Sequence, residues 1–161
     1  MADADARLKE LGITLSAPMQ TASLPFELIR IHGRHVYLSG HVPLAEDGSL
    51  GRPLGKVGDA VSLEQGQQAA RSVALGFLAT LQQAVGSLNQ VECWLKLFGM
   101  VNAAPGFNNL PAVINGASEL ILEVFGPDAG AHTRSAVGMA ELPFDVPVEI
   151  AAELILKAAG S

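Results

Sequence analysis

The chain has 161 residues, 49% hydrophobic and only 16% charged, with ten lysines and arginines against sixteen acidic residues and a net charge of −6. That length favours one domain over residues 1–161, and the scattered basic residues exclude the concentrated positive face that nucleic acid requires. The apolar runs are broken well before they reach a membrane-spanning length, and the N-terminus lacks the basic start and apolar block of a secretory signal.

Residues 1–20 read as an N-terminal extension that opens with a short polar helix in MADADARLKELGITL. FELIRIHGRHVYLSGHV follows, with two strand-like runs around His32-Gly33-Arg34. Gly33 can take the positive φ that closes a hairpin. The glycine- and proline-rich stretch PLAEDGSLGRPLGKVGDAV then reads as an exposed, mobile surface loop. Ser62 and Gln65 have capping-box spacing, and Ala70, Val73, Ala74, Phe77, Leu78, Leu81 and Val85 recur at helical intervals until Gly86 ends the helix.

In QVECWLKLFGMV, Val91, Cys93, Leu95 and Leu97 alternate with Glu92, Trp94, Lys96 and Phe98, which predicts a strand with Cys93 on its core face. Asn109 and Pro111 start a second long helix whose buried stripe is Val113, Ile114, Ala117, Leu120, Ile121 and Val124, and Gly126-Pro127 stops it. The last segment, HTRSAVGMAELPFDVPVEIAAELIL, reads as two strands forming a closing hairpin about Phe144 and Asp145. The order is β-β-α-β-α-β-β, an α+β arrangement with two helices on one face of a mixed sheet. The other sheet face is also apolar and needs cover, for which another copy of the chain is the simplest candidate.

Arg134 and Glu149 stand out as charges inside the most strand-like part of the chain. Alternation puts Arg134 on one face with Ala136, Gly138, Ala140 and Leu142, and the small neighbours leave room for a guanidinium suited to a two-pronged grip on a carboxylate. A strand glutamate can serve as a general acid or base. Both residues can equally be read as strand charges facing water. In a hairpin turning at Phe144-Asp145, Glu149 would oppose Ala140, leaving Arg134 about 20 Å further along, so the pair would meet only across an interface between chains.

Ser39-Gly40 ends a strand without a nucleophile elbow. His32, His35, His41 and His132 lack metal-ligand spacing and read as surface or loop histidines, one of them a candidate for the ligand site. No metal site is expected. The glycines from Gly48 to Gly58 do not follow a phosphate-binding pattern. One cysteine, Cys93, excludes an internal disulfide framework and fits a reducing compartment, which makes the cytoplasm the expected location.

RSAVGMAELPFDVPVEIAAE, together with VYLSGHV and VINGASELILEVFG, resembles the Rid family of reactive-intermediate deaminases, also called the YjgF family, over roughly residues 25–156, in a longer branch of it. The resemblance implies a chorismate-mutase-like fold and a homotrimer, with sheets around a central barrel and three ligand clefts between chains. It implies that Arg134 holds a substrate carboxylate, that Glu149 positions the attacking water, and that Ser39, Gly40 and Asn115 lie near the substrate. Two positions depart from the family pattern: Ala136 stands where the family has cysteine, and Phe26 where it has tyrosine. A backbone N–H at Ala136 could still bind an anion, and Phe26 would line the ligand site without a hydroxyl.

The activity so implied is cofactor-free hydrolysis of 2-imino or 2-enamino acids to 2-oxo acids and ammonia. Two alternatives accompany it. One is a trimer that binds or senses small carboxylates or 2-oxo acids without turnover, favoured by the departures at Phe26 and Ala136. The other is the RNA cleavage that some family members carry as a label, disfavoured by the acidic charge.

Overall fold

The computed structural model describes residues 3–20 and 22–158. Its first element, α1 (Ala4–Glu10), starts where the Asp3 carboxylate accepts the Ala6 N–H at 2.9 Å. Met1 and Ala2, part of the stretch expected to open this helix, lie outside the described residues. The extension is docked onto the body: Ala4 and Leu8 enter the main core, and the Asp5 carboxylate accepts the Leu88 N–H at 3.1 Å.

Strands β1 (Ile29–His32) and β2 (His35–His41) form the expected hairpin, with Gly33 at φ 60°. Helix α2 (Leu63–Val85) opens on the full reciprocal capping box of Ser62 and Gln65 and ends at Gly86, φ 82°. Strand β3 (Val91–Asn102) leads to α3 (Leu110–Ala129), in which Gly126 breaks the helical path at φ 76° and one more turn follows. That break is where Gly-Pro was expected to stop the helix.

Strands β4 (Thr133–Met139) and β5 (Val148–Leu156) complete a mixed five-stranded sheet of order β1-β2-β5-β3-β4. The expected closing hairpin does not form. β4 pairs parallel with β3, and β5 pairs antiparallel with both β3 and β2. The reason is α3: a helix between two strands is the crossover that parallel pairing needs. The chain then passes over the end of β3 through a short 3-10 turn at Pro143–Asp145. Phe144 and Asp145 there both adopt left-handed backbone, at φ 58°.

The strict alternation expected in β3 also fails. Register shifts against β5 fall between Val91 and Cys93 and between Trp94 and Lys96, so the core takes Val91, Trp94 and Leu97. Trp94 packs edge-on against Phe125 in the core, while Cys93 is only half-buried. A bulge adds one residue to the strand and turns the following side chains to the other face, which a period-two reading does not anticipate.

The long loop is irregular, as its composition predicts, but it is tied down rather than loose. Val57 and Val61 are fully buried, Val57 donates its N–H to the Asn102 carbonyl at 2.8 Å, and Gly55 donates to the Asp145 carbonyl at 2.7 Å. α2 and α3 cover one face of the sheet, where Leu97, Val101, Ile150, Ala152 and Leu154 face Phe77, Ile114 and Ile121 in one cluster. The opposite face carries Tyr37, Phe98, Ala151 and Ile155 with the Lys96 and Glu153 pair; Tyr37 is 44% exposed there. No helix among the described residues is long and apolar enough to cross a membrane.

Candidate functional site

β4 sets Arg134 opposite Leu97 of β3, a core residue, so its side chain leaves the sheet on the helix-covered face. There α3 receives it. Nη1 donates to Asn115 Oδ1 at 2.8 Å and to Ser118 Oγ at 3.1 Å, and Nη2 donates to the Pro111 carbonyl at 3.3 Å. A guanidinium has five N–H groups, and these bonds engage Nη1 and Nη2. Among the described residues Nε–H has no acceptor and Nη2 has only the 3.3 Å bond to Pro111; the Nε–Nη2 edge of a guanidinium is one whose spacing matches the two oxygens of a carboxylate. Arg134 is therefore not a solvated strand arginine. It is half-buried and held by one helix.

Asn115 and Ser118 share the face of α3 that three-residue spacing creates. Beyond them lies His132, whose Nδ1 donates to the Gly130 carbonyl at 2.7 Å and whose Nε2 accepts from Ser118 Oγ at 2.9 Å. Ala136, two residues along β4, sits opposite Gly99 and packs against the core.

The second group gathers on β2 and β5. Glu149 lies opposite Met100 on the sheet face away from the helices. Its carboxyl group covers the Cα of Gly40, so closely that a methyl group there would overlap Oε1. Half-burial without a countercharge pushes the Glu149 pKa upward. Gly40 belongs to a β-bulge, since three residues from Leu38 to His41 advance against two on β5. Ser39 secures that bulge by donating its hydroxyl to the Glu27 carbonyl at 2.7 Å and its N–H to the Leu28 carbonyl at 2.9 Å. Phe26, one residue before Glu27, is exposed.

His41, expected on the surface, is a buried support of this bulge at 2% exposure. Its Nδ1 donates to the Ser39 carbonyl at 2.7 Å, and its Nε2 accepts from the Thr80 hydroxyl at 2.9 Å. Its ring meets Phe77 edge-on. Burial drives its pKa down, partly countered by the bond to Ser39.

The named residues thus fall into two groups, Arg134 with Asn115 and Ala136, and Glu149 with Ser39, Gly40 and Phe26. They lie on opposite faces of the sheet. Across two strand spacings and the offset from Leu97 to Met100 along β3, their Cα atoms stand about 14 Å apart. One chain does not bring them together, although the geometry differs from the hairpin expected. A cleft of about 280 Å³ between α1 and the break in α3, lined by Leu88, Phe125, Pro127 and Lys157 among others, contains none of them. No cluster of His, Cys, Asp or Glu suited to a metal occurs among the described residues.

Ser118 and Thr80 do not stand out in the sequence, and the supporting roles of His41 and His132 go beyond the surface or loop positions expected of them. Ser118 follows Asn115 by three residues on a helix, and His132 precedes Arg134 by two beside a strand, so both share a face with a residue already singled out. Asn102 was missed as well. It is fully buried, donates Nδ2 to Asp145 Oδ1 at 3.1 Å and to the Val146 carbonyl at 3.2 Å, and accepts from Lys56 Nζ at 2.8 Å. That cross-brace holds the left-handed Phe144-Asp145 turn, and with it the lead into β5.

An α+β sheet of this order, with an arginine held by the crossover helix and a glutamate over a strand-end Ser-Gly, defines a class in which comparison is informative. The model of the family described as "YjgF/chorismate_mutase-like, putative endoribonuclease" matches residues 5–152, and the chain belongs to that family. It is similar to Protein TCP17 of Trypanosoma cruzi, with 40% identity over 145 residues, 90% of this chain and 89% of that one. The solved structure of Atu1372 from Agrobacterium tumefaciens superposes with a TM-score of 0.84 at 37% identity, covering 96% of this chain and 94% of that one. A Shewanella oneidensis structure superposes with a TM-score of 0.87 at 28% identity, covering 95% and 99%.

Proposed function

We propose that the chain hydrolyses 2-imino or 2-enamino acids to 2-oxo acids and ammonia, without a cofactor, in clefts between the chains of a homotrimer. The observation that carries this reading is the state of Arg134: its guanidinium is held by three acceptors of α3, while its Nε–H has no acceptor among the described residues. A small carboxylate is the ligand that such a fork fits. The apolar open face of the sheet supports burial against other copies, and an interface is what would let Glu149 of one chain meet Arg134 of the next.

In the reaction, Arg134 binds the carboxylate of the imino acid and draws electron density from the adjacent imine carbon. Glu149 takes a proton from water as the water oxygen bonds to that carbon, and passes it to the imine nitrogen to give a carbinolamine. The carbinolamine hydroxyl then gives up its proton, which Glu149 delivers to the nitrogen as the C–N bond breaks; ammonia leaves and the C=O of the 2-oxo acid forms. A raised pKa makes the Glu149 carboxylate a stronger base than an exposed one, which suits this role. Imines hydrolyse unaided in water, so positioning plus one base is enough.

An amino-acid oxidase generates the imine in situ, and semicarbazide traps what survives. The protein is expected to lower the trapped product in proportion to its concentration. No effect on imines from several amino acids would remove the hydrolase reading. Retained binding of 2-oxobutyrate in that case, lost in Arg134→Ala, would establish the non-catalytic binding module, which the absence of the tyrosine hydroxyl at Phe26 and of the thiol at Ala136 favours. Sedimentation that finds a monomer at assay concentrations would remove the shared cleft.

A further inference from the structure

We infer that Ser118 and His132 are positioning residues for Arg134, setting the rotamer with which it meets a carboxylate; this rests on the proposed carboxylate site and deepens it. The far end of the chain of bonds fixes the first hydrogen, and with a neutral His132 ring the others follow from it. A carbonyl oxygen only accepts, so the His132 ring must carry its hydrogen on Nδ1 toward Gly130, at 2.7 Å. The neutral ring then presents the Nε2 lone pair to Ser118, at 2.9 Å. The Ser118 hydrogen goes to that lone pair, and the oxygen keeps its own lone pair for Arg134 Nη1, at 3.1 Å.

Asn115 and Pro111 offer Arg134 ready acceptors. Ser118 is different, because a serine hydroxyl turns. Without an acceptor at His132, its hydrogen swings toward a helix carbonyl one turn back, and the lone pair no longer faces the guanidinium. The break in α3 contributes: the extra turn after Gly126 places the Gly130 carbonyl under His132, and a side chain at Gly130 would stand 2.6 Å from the Gly126 oxygen. Sequence elements that look like an imperfect helix end therefore serve the arginine.

With Nη1 bonded to both Asn115 and Ser118, the guanidinium is held against turning and its Nε–Nη2 edge stays presented. A ligand then meets a side chain that has already lost its rotamer freedom, which corresponds to about a tenfold gain in affinity.

The test uses the full chain, with 2-oxobutyrate binding measured by calorimetry, imine turnover by the semicarbazide trap, and guanidinium rotation by ¹⁵N NMR of Arg134. Ser118→Ala and His132→Ala are each expected to weaken binding and raise KM about tenfold while moving kcat less. The double variant is expected to be no worse than Ser118→Ala, since both act along one chain of bonds. His132→Gln is expected to recover much of the loss, because its Oε1 can accept from Ser118 where Nε2 did. The two Nη signals of Arg134 are expected to be separate in the wild type and to coalesce in both alanine variants. Unchanged affinity together with slow rotation in Ser118→Ala would overturn the inference. If the wild type neither binds 2-oxobutyrate nor consumes imines, the proposed function has failed on its own, and the NMR measurement still decides whether Ser118 and His132 hold the arginine.

Discussion

Gly40→Ala separates the proposed chemistry from the fold. An alanine methyl at this position would overlap Glu149 Oε1 and stand 2.9 Å from its Cδ and 3.1 Å from its Cγ. All three atoms belong to one flexible side chain, and Gly40 is not among the left-handed glycines, so its backbone accepts alanine. Restoring ordinary contact distances moves the carboxyl group by about 1 Å. Holding Glu149 away from its preferred rotamer costs about 0.5–1.5 kcal/mol. The smaller entropy of the unfolded alanine chain offsets about 0.4–1 kcal/mol of that. Net stability therefore changes by about 1 kcal/mol or less, and Tm by no more than about 4 °C. A base displaced by that distance loses about a hundredfold in rate. The imine-trap assay is expected to report that loss in kcat/KM, while calorimetry finds 2-oxobutyrate still bound, because Arg134 is untouched. Introduced into Glu149→Gln, the same alanine is expected to cost nothing further. A Gly40→Ala protein with wild-type kcat/KM would refute the placement of Glu149 at the reacting centre.

Arg134→Lys is expected to behave like Arg134→Ala in 2-oxobutyrate binding, at least about tenfold weaker than wild type, since an ammonium cannot reproduce the fork that Asn115 and Ser118 orient. The pKa of Glu149 is raised by burial, and a base works when deprotonated, so kcat is expected to fall as pH drops through a value above the ordinary carboxylate range, a limb absent from Glu149→Gln. The same shift favours the folded state when Glu149 is protonated; that contribution is lost as pH rises through the raised pKa, so Glu149→Gln is expected to gain relative stability on the alkaline side in pH-resolved thermal melts. His41 has the opposite sense: its pKa is depressed by burial below 6.5, so the unfolded chain binds the proton more readily and stability is expected to decline as pH falls below that value, less so in His41→Gln. Asn102→Ala takes one acceptor from Lys56, which keeps the Ala140 carbonyl, leaves the Val146 carbonyl without its Asn102 donor and releases the Phe144-Asp145 turn; denaturant titration is expected to report a loss of about 1–3 kcal/mol.

Residues whose structure is decided by near neighbours were legible in the sequence. Ser62 and Gln65 cap α2 through atoms three residues apart, and Gly33 closes its hairpin through its own backbone freedom. β4 was harder because its partner is chosen by α3 rather than by the next strand; the pattern from residue 132 to 156 is equally that of a hairpin. β3 misled through its bulges, which exchange Cys93 for Trp94 in the core. The loop from Pro43 to Val61 has the composition of free chain, and its order comes from backbone bonds to Asn102, Asp145 and Ala104, far away in sequence. Arg134 and Glu149 stood out because charge is scarce in this chain. What surrounds them did not, because Ser118 and His132 acquire meaning only when α3 is laid beside β4.

The placement of the two groups explains why a sheet with one bare face can be an advantage for the proposed chemistry. An arginine directly beside Glu149 would pull its proton off and hold the pKa low, making a weak base. In the single chain Arg134 instead lies on the other side of the sheet, its charge distributed over Asn115, Ser118 and Pro111, and nothing counters the burial of Glu149. If a second copy brings its own Arg134 near, the substrate carboxylate stands between cation and base and neutralises the first before the second can feel it. Binding would then keep Glu149 basic only when an anionic ligand is present. The pH limb assigned to Glu149 should accordingly lie higher in kcat, which reports the complex, than in kcat/KM, which reports the free protein. Equal limbs in the two profiles would mean that the ligand does not come between the charges.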